Sequence, residues 1–271
     1  YVARIEEPKE VAENVEANII GMMLHWMLEI FYKELKAADP VITRERLIAQ
    51  RKTIHDLAIR AYAEVIFKDQ HHAVAHNGMQ KVVLAIVEEY AGIILDYDEN
   101  HAPFEILDLE KKDQIAFSFM VNGEPKKVNL YGIIDRIDQK NGLVRIVDYK
   151  TGSDDLRFSS IDDAFDTHGK KQNKALIQTL FYTHVYEQAN AKEWVEPNIY
   201  SVRNMRKDGA WFMEGKEKTK LNGVRLESIK TEFQNLLQLK LAELFDENIP
   251  FTPTTVESSF TYSPYVTLCG M

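Results

Sequence analysis

The chain has 271 residues, of which 45% are hydrophobic, so it is long enough to bury a full core. Its formal net charge of −9 at pH 7 is unfavourable for binding a polyanion through overall charge. The single cysteine, Cys269, excludes an intrachain disulfide, and the absence of an apolar run of about 18 residues excludes a predicted membrane span. We therefore expect a cytoplasmic protein without a membrane partner.

Helices are predicted in the first hundred residues, over 10–35, 44–67 and 73–97. The Asp39-Pro40 pair and the polar stretch at 68–72 separate them. The first helix has hydrophobic residues at helical spacing, and His25 lies on that face. A histidine in this position usually belongs to the core, but histidine is also the most common metal ligand.

The rest of the chain predicts an α/β fold. Strands are predicted at 104–110, 114–121, 127–137 and 143–150, then a helix at 171–189, strands at 196–203 and 210–214, and a helix at 223–246. We expect a single domain over 1–271. It would comprise a helical region (9–99), an α/β core (104–215), and a C-terminal helix with an extended tail (216–271).

The most informative segment is a predicted hairpin. Two apolar runs of β type flank Asn141 and Gly142, and an Asn-Gly pair in this setting predicts a tight turn. The first run contains Asp135, and the second ends with Asp148 and Lys150. Residues i and i+2 share a face of a strand, so Asp148 and Lys150 point the same way, and pairing can bring Asp135 beside them.

These charged residues have two interpretations. Charged residues at strand ends usually form solvated ion pairs worth about 0–1 kcal/mol. However, Asp135 and Asp148 lie within apolar runs, where a carboxylate is costly unless it is paired or bound to metal. Two carboxylates and an ammonium group on one side of a sheet suit a hard divalent cation and an anionic substrate. Arg136 points to the opposite face, so we expect it to form an ion pair or support the fold.

Four motifs give the chain a family resemblance. The segments Gly132-Ile-Ile-Asp135-Arg-Ile-Asp and Val-Asp148-Tyr-Lys150-Thr-Gly resemble the nuclease signature of the RecB and AddB branch of the PD-(D/E)XK superfamily. The family's Gly-x-x-x-His motif is matched upstream at 21–25. Its Gln-x-x-x-Tyr motif is matched downstream at 178–182.

The resemblance implies a restriction-endonuclease-like core with a mixed central β-sheet. It also implies a metal-dependent DNA nuclease, and we expect an exonuclease of DNA repair and recombination. The implied cofactor is Mg²⁺ or Mn²⁺, bound by His25, Asp135, Asp148 and the main-chain carbonyl of Tyr149. Glu110 is an additional candidate, because family members often carry a glutamate in the preceding strand, although a surface acid is an equal alternative.

Three further residues have implied roles beside the metal. Lys150 would position the attacking water or contact the scissile phosphate. Gln178 and Tyr182 are four residues apart, so they lie on one face of a helix. They would contact the DNA backbone or orient the metal site, the alternative being an ordinary surface pair.

The implied substrate is DNA. Domains of this type lie at the C-terminus of long chains, and this chain begins at Tyr1. We therefore expect it to be part of a longer protein, the alternative being a trimmed form of a stand-alone protein. The expected partner is a helicase, a helicase-like subunit or the preceding part of the same chain. Local basic groups would offset the acidic net charge along a groove: Lys170, Lys171 and Lys174, and Arg203, Arg206 and Lys207.

The C-terminal tail bears on a second cofactor. Many AddB proteins and CRISPR-associated relatives hold an iron–sulfur cluster with a Cys-x-x-Cys-x5-Cys run near the C-terminus. Phe260, Ser263 and Cys269 fall at that spacing here. One thiolate cannot hold such a cluster, so we expect no iron–sulfur cluster.

Two alternatives stay open. One is a catalytically idle nuclease-like domain that binds DNA or a protein partner. Six polar residues in apolar settings argue against it: His25, Asp135, Asp148, Lys150, Gln178 and Tyr182. The other is an unrelated metal phosphodiesterase acting on RNA or nucleotides, since discrimination of the 2′-hydroxyl leaves no short motif.

Overall fold

A mixed β-sheet with helices on both faces forms the centre of the protein. The computed structural model describes residues 17–74, 77–152, 154–166, 172–191 and 194–252. Lys170, Lys171 and the tail positions Phe260, Ser263 and Cys269 lie outside these ranges, so the predictions for them stay predictions.

The helices in the described ranges are α1 (Ala17–Ala38), α2 (Arg44–Gln50), α3 (Ile54–Phe67), α4 (Gly78–His101), α5 (Ile161–Phe165), α6 (Lys174–Asn190), α7 (Met205–Asp208) and α8 (Gly223–Phe245). The strands are β1 (Val41–Ile42), β2 (Phe104–Val121), β3 (Glu124–Lys140), β4 (Leu143–Lys150), β5 (Arg157–Phe158), β6 (Val195–Ser201), β7 (Met213–Glu214) and β8 (Thr219–Lys220). None of these helices is long and apolar enough to cross a bilayer.

The central sheet has the strand order β1-β2-β3-β4-β6. Its neighbours are antiparallel except for β4 and β6, which are parallel. Strands β5, β7 and β8 form a separate small sheet. The predicted restriction-endonuclease-like α/β fold is confirmed.

Hydrophobic periodicity explains how the helices cover the sheet. In α1, Met23, Leu24, Met27, Leu28 and Phe31 recur at helical spacing and are completely buried. They belong to a core formed with α3, α4 and one face of the sheet. A second core on the opposite face joins α5, α6 and α8. Helix α1 therefore reaches the sheet from one side and α6 from the other.

Four predicted elements differ in number or length from the structure. The strands expected at 104–110 and 114–121 are one continuous strand, β2. Its charged centre does not form a loop, because Lys111 and Asp113 both contact the Asn190 amide of α6. The helix expected at 44–67 is divided by a 3₁₀ turn at Arg51–Thr53. Of the strand expected at 210–214, only the two residues of β7, Met213 and Glu214, form a strand.

The β2–β3 ladder has a bulge between Ile106 and Asp108, and it is interrupted again where Glu110 and Asp135 face each other between two registered pairs. The alternation of side chains reverses there. Leu109 is buried in the core with α1, whereas Lys111, two residues later, contacts Asn190 of α6. Glu110 has a φ of 48°, in the left-handed region that non-glycine residues rarely adopt. Backbone strain of this kind often accompanies a functional site.

Strands β3 and β4 separate at the same place. The turn is the predicted one, with Asn141 and Gly142 at φ of 52° and 83°. Pairing runs from there to Arg136 and Val147 and then ends, while β4 continues beside β6 to Lys150. The separation creates a fork in the sheet whose first residues are Asp135 and Asp148.

Candidate active site

Asp135 lies in the fork between β3 and β4. The backbone N–H of Tyr149 donates a hydrogen bond to Oδ2 of Asp135 at 2.8 Å. Because the β3–β4 ladder has ended, the carboxylate provides the acceptor that this buried N–H requires. The backbone of β4 therefore fixes the orientation of Asp135.

His25 reaches the fork from α1. Its Nδ1 lies 3.4 Å from Oδ1 of Asp135, and its Nε2 lies 3.0 Å from the carbonyl oxygen of Tyr149. Burial by itself would lower the pKa of His25. The hydrogen bond with Asp135 and the charges of Asp135 and Asp148 outweigh burial, and the pKa is raised. The surroundings of His25 therefore favour a positive charge.

His25, Glu110 and Asp135 form what we call the carboxylate cluster, in which one ligand atom of each residue lies within 4.8 Å of the others. Burial, together with the negative charges of Asp135 and Glu29, raises the pKa of Glu110 to about 7. The interrupted ladder thus places two acids against each other, where like charges repel.

The carboxylate cluster has the donors that a divalent ion requires. Carboxylate and carbonyl oxygens are preferred by Mg²⁺ and Mn²⁺, and imidazole is a common additional ligand. One ligand atom from each of His25, Glu110 and Asp135 lies within 4.8 Å of the others. The residues present therefore fit such an ion.

Asp148 and Lys150 form a pair beside this cluster. Lys150 Nζ lies 3.0 Å from Oδ1 and 2.8 Å from Oδ2 of Asp148, as expected for residues on one strand face. Asp148 is 2% exposed, and burial together with the charge of Asp135 raises its pKa. Burial would lower the pKa of Lys150, but Asp148 raises it overall. Asp148 is not one of the three side chains that converge within 4.8 Å.

A chain of hydrogen bonds links Lys150 to α6. Lys150 Nζ donates to Oε1 of Gln178 at 2.9 Å, and Gln178 Nε2 donates to the hydroxyl of Tyr182 at 2.8 Å. The structure therefore brings the downstream motif into the same site as the hairpin.

Two motif glycines hold the elements close together. A Cβ atom at Gly132 would lie 2.6 Å from the ring of Tyr182, closer than carbon atoms can approach. A Cβ atom at Gly21 would lie 3.3 Å from Oγ1 of Thr151. Gly132 thus allows α6 to lie against β3, and Gly21 allows α1 to lie against the end of β4.

A buried ionic network lies on the α1 and α4 side of β3. Arg136 donates to both carboxylate oxygens of Asp98, at 2.7 and 3.1 Å, and its Nε lies 3.0 Å from Asp138. Arg136, Asp98 and Asp138 are each 0% exposed. Burial would raise the pKa of Asp98, but the charge and hydrogen bonds of Arg136 lower it. The structural role expected for Arg136 is confirmed.

Asp98, the main partner of Arg136, was not among the residues predicted from the sequence. Asp98 follows the buried residues Ile94 and Leu95 at helical spacing, so its burial was detectable from the pattern. Its partner was not, because 38 residues separate Asp98 from Arg136.

The predicted basic groups are described only in part. Lys174 and Arg203 are exposed, and Arg203 Nε donates to the carbonyl of Thr151 at 3.1 Å. Arg203 therefore lies next to the end of the lysine strand β4.

The chain belongs to the PD-(D/E)XK nuclease superfamily, whose family model matches residues 1–270. Membership implies a nuclease, and nucleases of this superfamily typically use divalent metals. No curated protein matches the chain significantly.

Proposed function

We propose that the chain is a Mg²⁺- or Mn²⁺-dependent deoxyribonuclease, an exonuclease domain of RecB or AddB type acting in DNA repair and recombination. The observation that carries the proposal is the convergence of motif residues from α1, β3, β4 and α6 in one fork of the sheet. Residues far apart in sequence meet there, and they provide candidate metal ligands together with the positive charge of Lys150, the groups that phosphodiester hydrolysis requires.

The ligands in this proposal are His25, Glu110, Asp135 and the carbonyl of Tyr149, with Asp148 beside them. When bound, a divalent ion lowers the pKa of a coordinated water and neutralises the charge that develops on the phosphate. The like charges of Glu110 and Asp135 give the protein the negative potential that attracts the ion.

Lys150 acts in its protonated form. Its raised pKa disfavours a role as general base, since a base must lose its proton near neutral pH. The ammonium group instead binds the scissile phosphate or positions the water, held between Asp148 and Gln178. Tyr182 orients Gln178 and thereby keeps the ammonium group aligned.

The proposed partners are DNA and a helicase, a helicase-like subunit or a further part of the same protein. The net charge of −9 supports the proposal that a partner binds most of the DNA. Within this chain, Lys174 and Arg203 provide exposed positive charge near the site.

The decisive experiment incubates linear single- and double-stranded DNA with the purified chain and Mg²⁺, Mn²⁺ or EDTA. The test variants are Asp135→Asn and Lys150→Met, and the matched control is Lys127→Met, an exposed lysine on the β2–β3 hairpin. We expect metal-dependent cleavage by the wild type and the control, with little cleavage by either test variant.

Mn²⁺ binding measured by calorimetry separates the alternatives. Tight binding that Asp135→Asn abolishes, without cleavage of any DNA, would mean that cleavage needs a missing partner. Neither binding nor cleavage would favour the idle domain. Cleavage that persists in EDTA, or in both test variants, would contradict the proposal.

A further inference from the structure

Both backbone groups of Tyr149 point into the fork and contact proposed metal ligands. Its N–H donates to the carboxylate of Asp135 at 2.8 Å, and its carbonyl oxygen lies 3.0 Å from Nε2 of His25. The N–H and C=O of one strand residue point to the same edge of the strand, so one backbone position serves both contacts. The orientation of Tyr149 therefore decides where two side chains of the carboxylate cluster lie.

The sheet holds this part of β4 from one side only. The pairing of β4 with β3 ends at Val147, whereas its pairing with β6 continues to Lys150. Each residue of a chain has two soft backbone dihedrals, and the ladder to β3 no longer restrains them at Tyr149. Its backbone therefore needs another constraint if both contacts are to keep their geometry.

The side chain of Tyr149 provides this constraint. It is 3% exposed and belongs to the core that includes α1 and α4. Its ring lies edge-to-face against the imidazole of His25, with centroids 5.7 Å apart, and against the ring of Tyr200 at 5.9 Å. The guanidinium carbon of Arg136 lies 5.8 Å from the ring centroid. Edge-to-face pairs are favourable at about 4.5–7 Å, so neighbours from α1, β3 and β6 fix the plane of the ring.

The hydroxyl group of Tyr149 takes no part in this packing. It is buried, and within the described part of the chain it has no hydrogen-bond partner. A buried hydroxyl without a partner lowers stability. The flat ring is therefore the feature of the side chain that this position uses.

We propose that Tyr149 is a positioning residue, whose ring fixes the backbone that holds Asp135 and His25 in the fork. This inference rests on the proposed function, in which both residues are metal ligands. It adds a role for the side chain of Tyr149, whereas the proposed function uses only its carbonyl oxygen. The alternative is an ordinary core residue, whose ring contributes to stability without affecting the geometry of the ligands.

The first test compares the removal of two buried rings. Tyr149→Leu removes the ring beside His25, and Phe233→Leu removes a ring from the second core, on the opposite face of the sheet. Calorimetry measures Mn²⁺ affinity, and urea denaturation in EDTA measures stability. Both variants should lose stability, but only Tyr149→Leu should bind Mn²⁺ about 10–100-fold more weakly, the range for loss of an outer partner of a metal ligand. Tyr149→Phe keeps the ring and should restore the affinity.

The second test requires no metal ion. In EDTA, amide hydrogen exchange at residue 149 reports the hydrogen bond between its N–H and Asp135. We expect this amide to exchange faster in Tyr149→Leu than in Phe233→Leu when the two are compared at equal global stability. If Tyr149→Leu does not fold, Tyr149→Met replaces it, because methionine fills irregular space without a flat ring.

The two tests separate the inference from the proposed function. Wild-type Mn²⁺ affinity and a protected amide in Tyr149→Leu would overturn the inference alone. Equal losses of Mn²⁺ affinity in Tyr149→Leu and Phe233→Leu would also overturn it, since lower stability would then be the cause. No Mn²⁺ binding by the wild type, with fast exchange at residue 149 only in Tyr149→Leu, would overturn the proposed metal site and support the role of the ring.

Discussion

Two neighbouring residues of β3, Asp135 and Arg136, belong to two polar clusters of opposite character. On the side of α1 and α4, Arg136 is completely buried and forms ion pairs with Asp98 and Asp138. In the carboxylate cluster, Asp135 faces Glu110. Burial, together with the charges of Asp135 and Glu29, raises the pKa of Glu110, although the charges of His25 and Lys33 oppose this shift. The difference indicates that the Arg136 cluster supports the fold, and it supports our proposal that the Asp135 cluster binds an ion.

The largest effect on stability should come from removing Asp98 from the buried ionic network around Arg136. Asp98→Ala leaves Arg136 buried without its main partner, which should lower the free energy of unfolding by about 3–5 kcal/mol. Urea denaturation measures the change. Asp96→Ala is the matched control two residues away, where an exposed ion pair with Arg51 contributes about 1 kcal/mol or less. Equal losses in both variants would remove the distinction between the clusters.

A substitution in the carboxylate cluster should have the reverse effects of Asp98→Ala: a large loss of cleavage with little loss of stability. Asp135→Asn removes a proposed ligand, so cleavage should fall by more than about 100-fold, the effect that loss of an outer partner of a metal site can already produce. Without metal, stability should not fall by more than about 1 kcal/mol, because repulsion with Glu110 is relieved. Cleavage and urea denaturation are measured together, with Asp108→Asn on β2 as control. A stability loss like that of Asp98→Ala would contradict the comparison.

The contact between α6 and β3 can be tested at Gly132. Gly132→Ala places a methyl group 2.6 Å from the ring of Tyr182, so we expect a loss of about 1–3 kcal/mol and lower cleavage as Gln178 and Lys150 shift. Gly78→Ala is the control, since nothing lies within 4 Å of its new methyl group. Wild-type cleavage by Gly132→Ala would show that Tyr182 does not position the lysine.

The smallest effect concerns pH. In the metal-free protein the pKa of Glu110 is about 7, above the 4.5 usual for glutamate. The folded state therefore keeps a proton that the unfolded state loses, and stability should fall as pH rises from 4.5 through 7. Asp148 is shifted in the same direction. Thermal unfolding in EDTA should show a shallower decline for Glu110→Gln, and Mn²⁺ should stabilise the wild type more at pH 8 than at pH 6. An unchanged pH profile in Glu110→Gln would refute this.

Much of the fold follows from local patterns. The spacing of Met23, Leu24, Met27 and Leu28 predicts the buried face of α1, and Asn141-Gly142 predicts the turn between β3 and β4. One difference concerns β2, where the sequence predicted two separate strands. The charged residues in the gap, Lys111 and Asp113, contact Asn190 of the distant helix α6, and no short-range pattern shows this contact.

The candidate site was predictable as a set of residues. The motifs indicated His25, Asp135, Lys150 and Gln178, and strand alternation predicted that Lys150 and Asp148 meet. Alternation could not predict the place of Asp135 and Glu110, because it assumes an unbroken ladder. The reversal at these two residues depends on helices packed against opposite faces of the sheet.

The sequence by itself thus determined the elements, the hairpin and the residue types of the site, because spacing and turn chemistry are properties of short segments. Only the tertiary structure decided that Asp98 and Asp138 pair with Arg136, whereas Glu110 and Asp135 face each other. Those outcomes depend on contacts between residues far apart in the chain, such as Asp98 with Arg136 and His25 with Tyr149. Short-range patterns contain no information about such pairings.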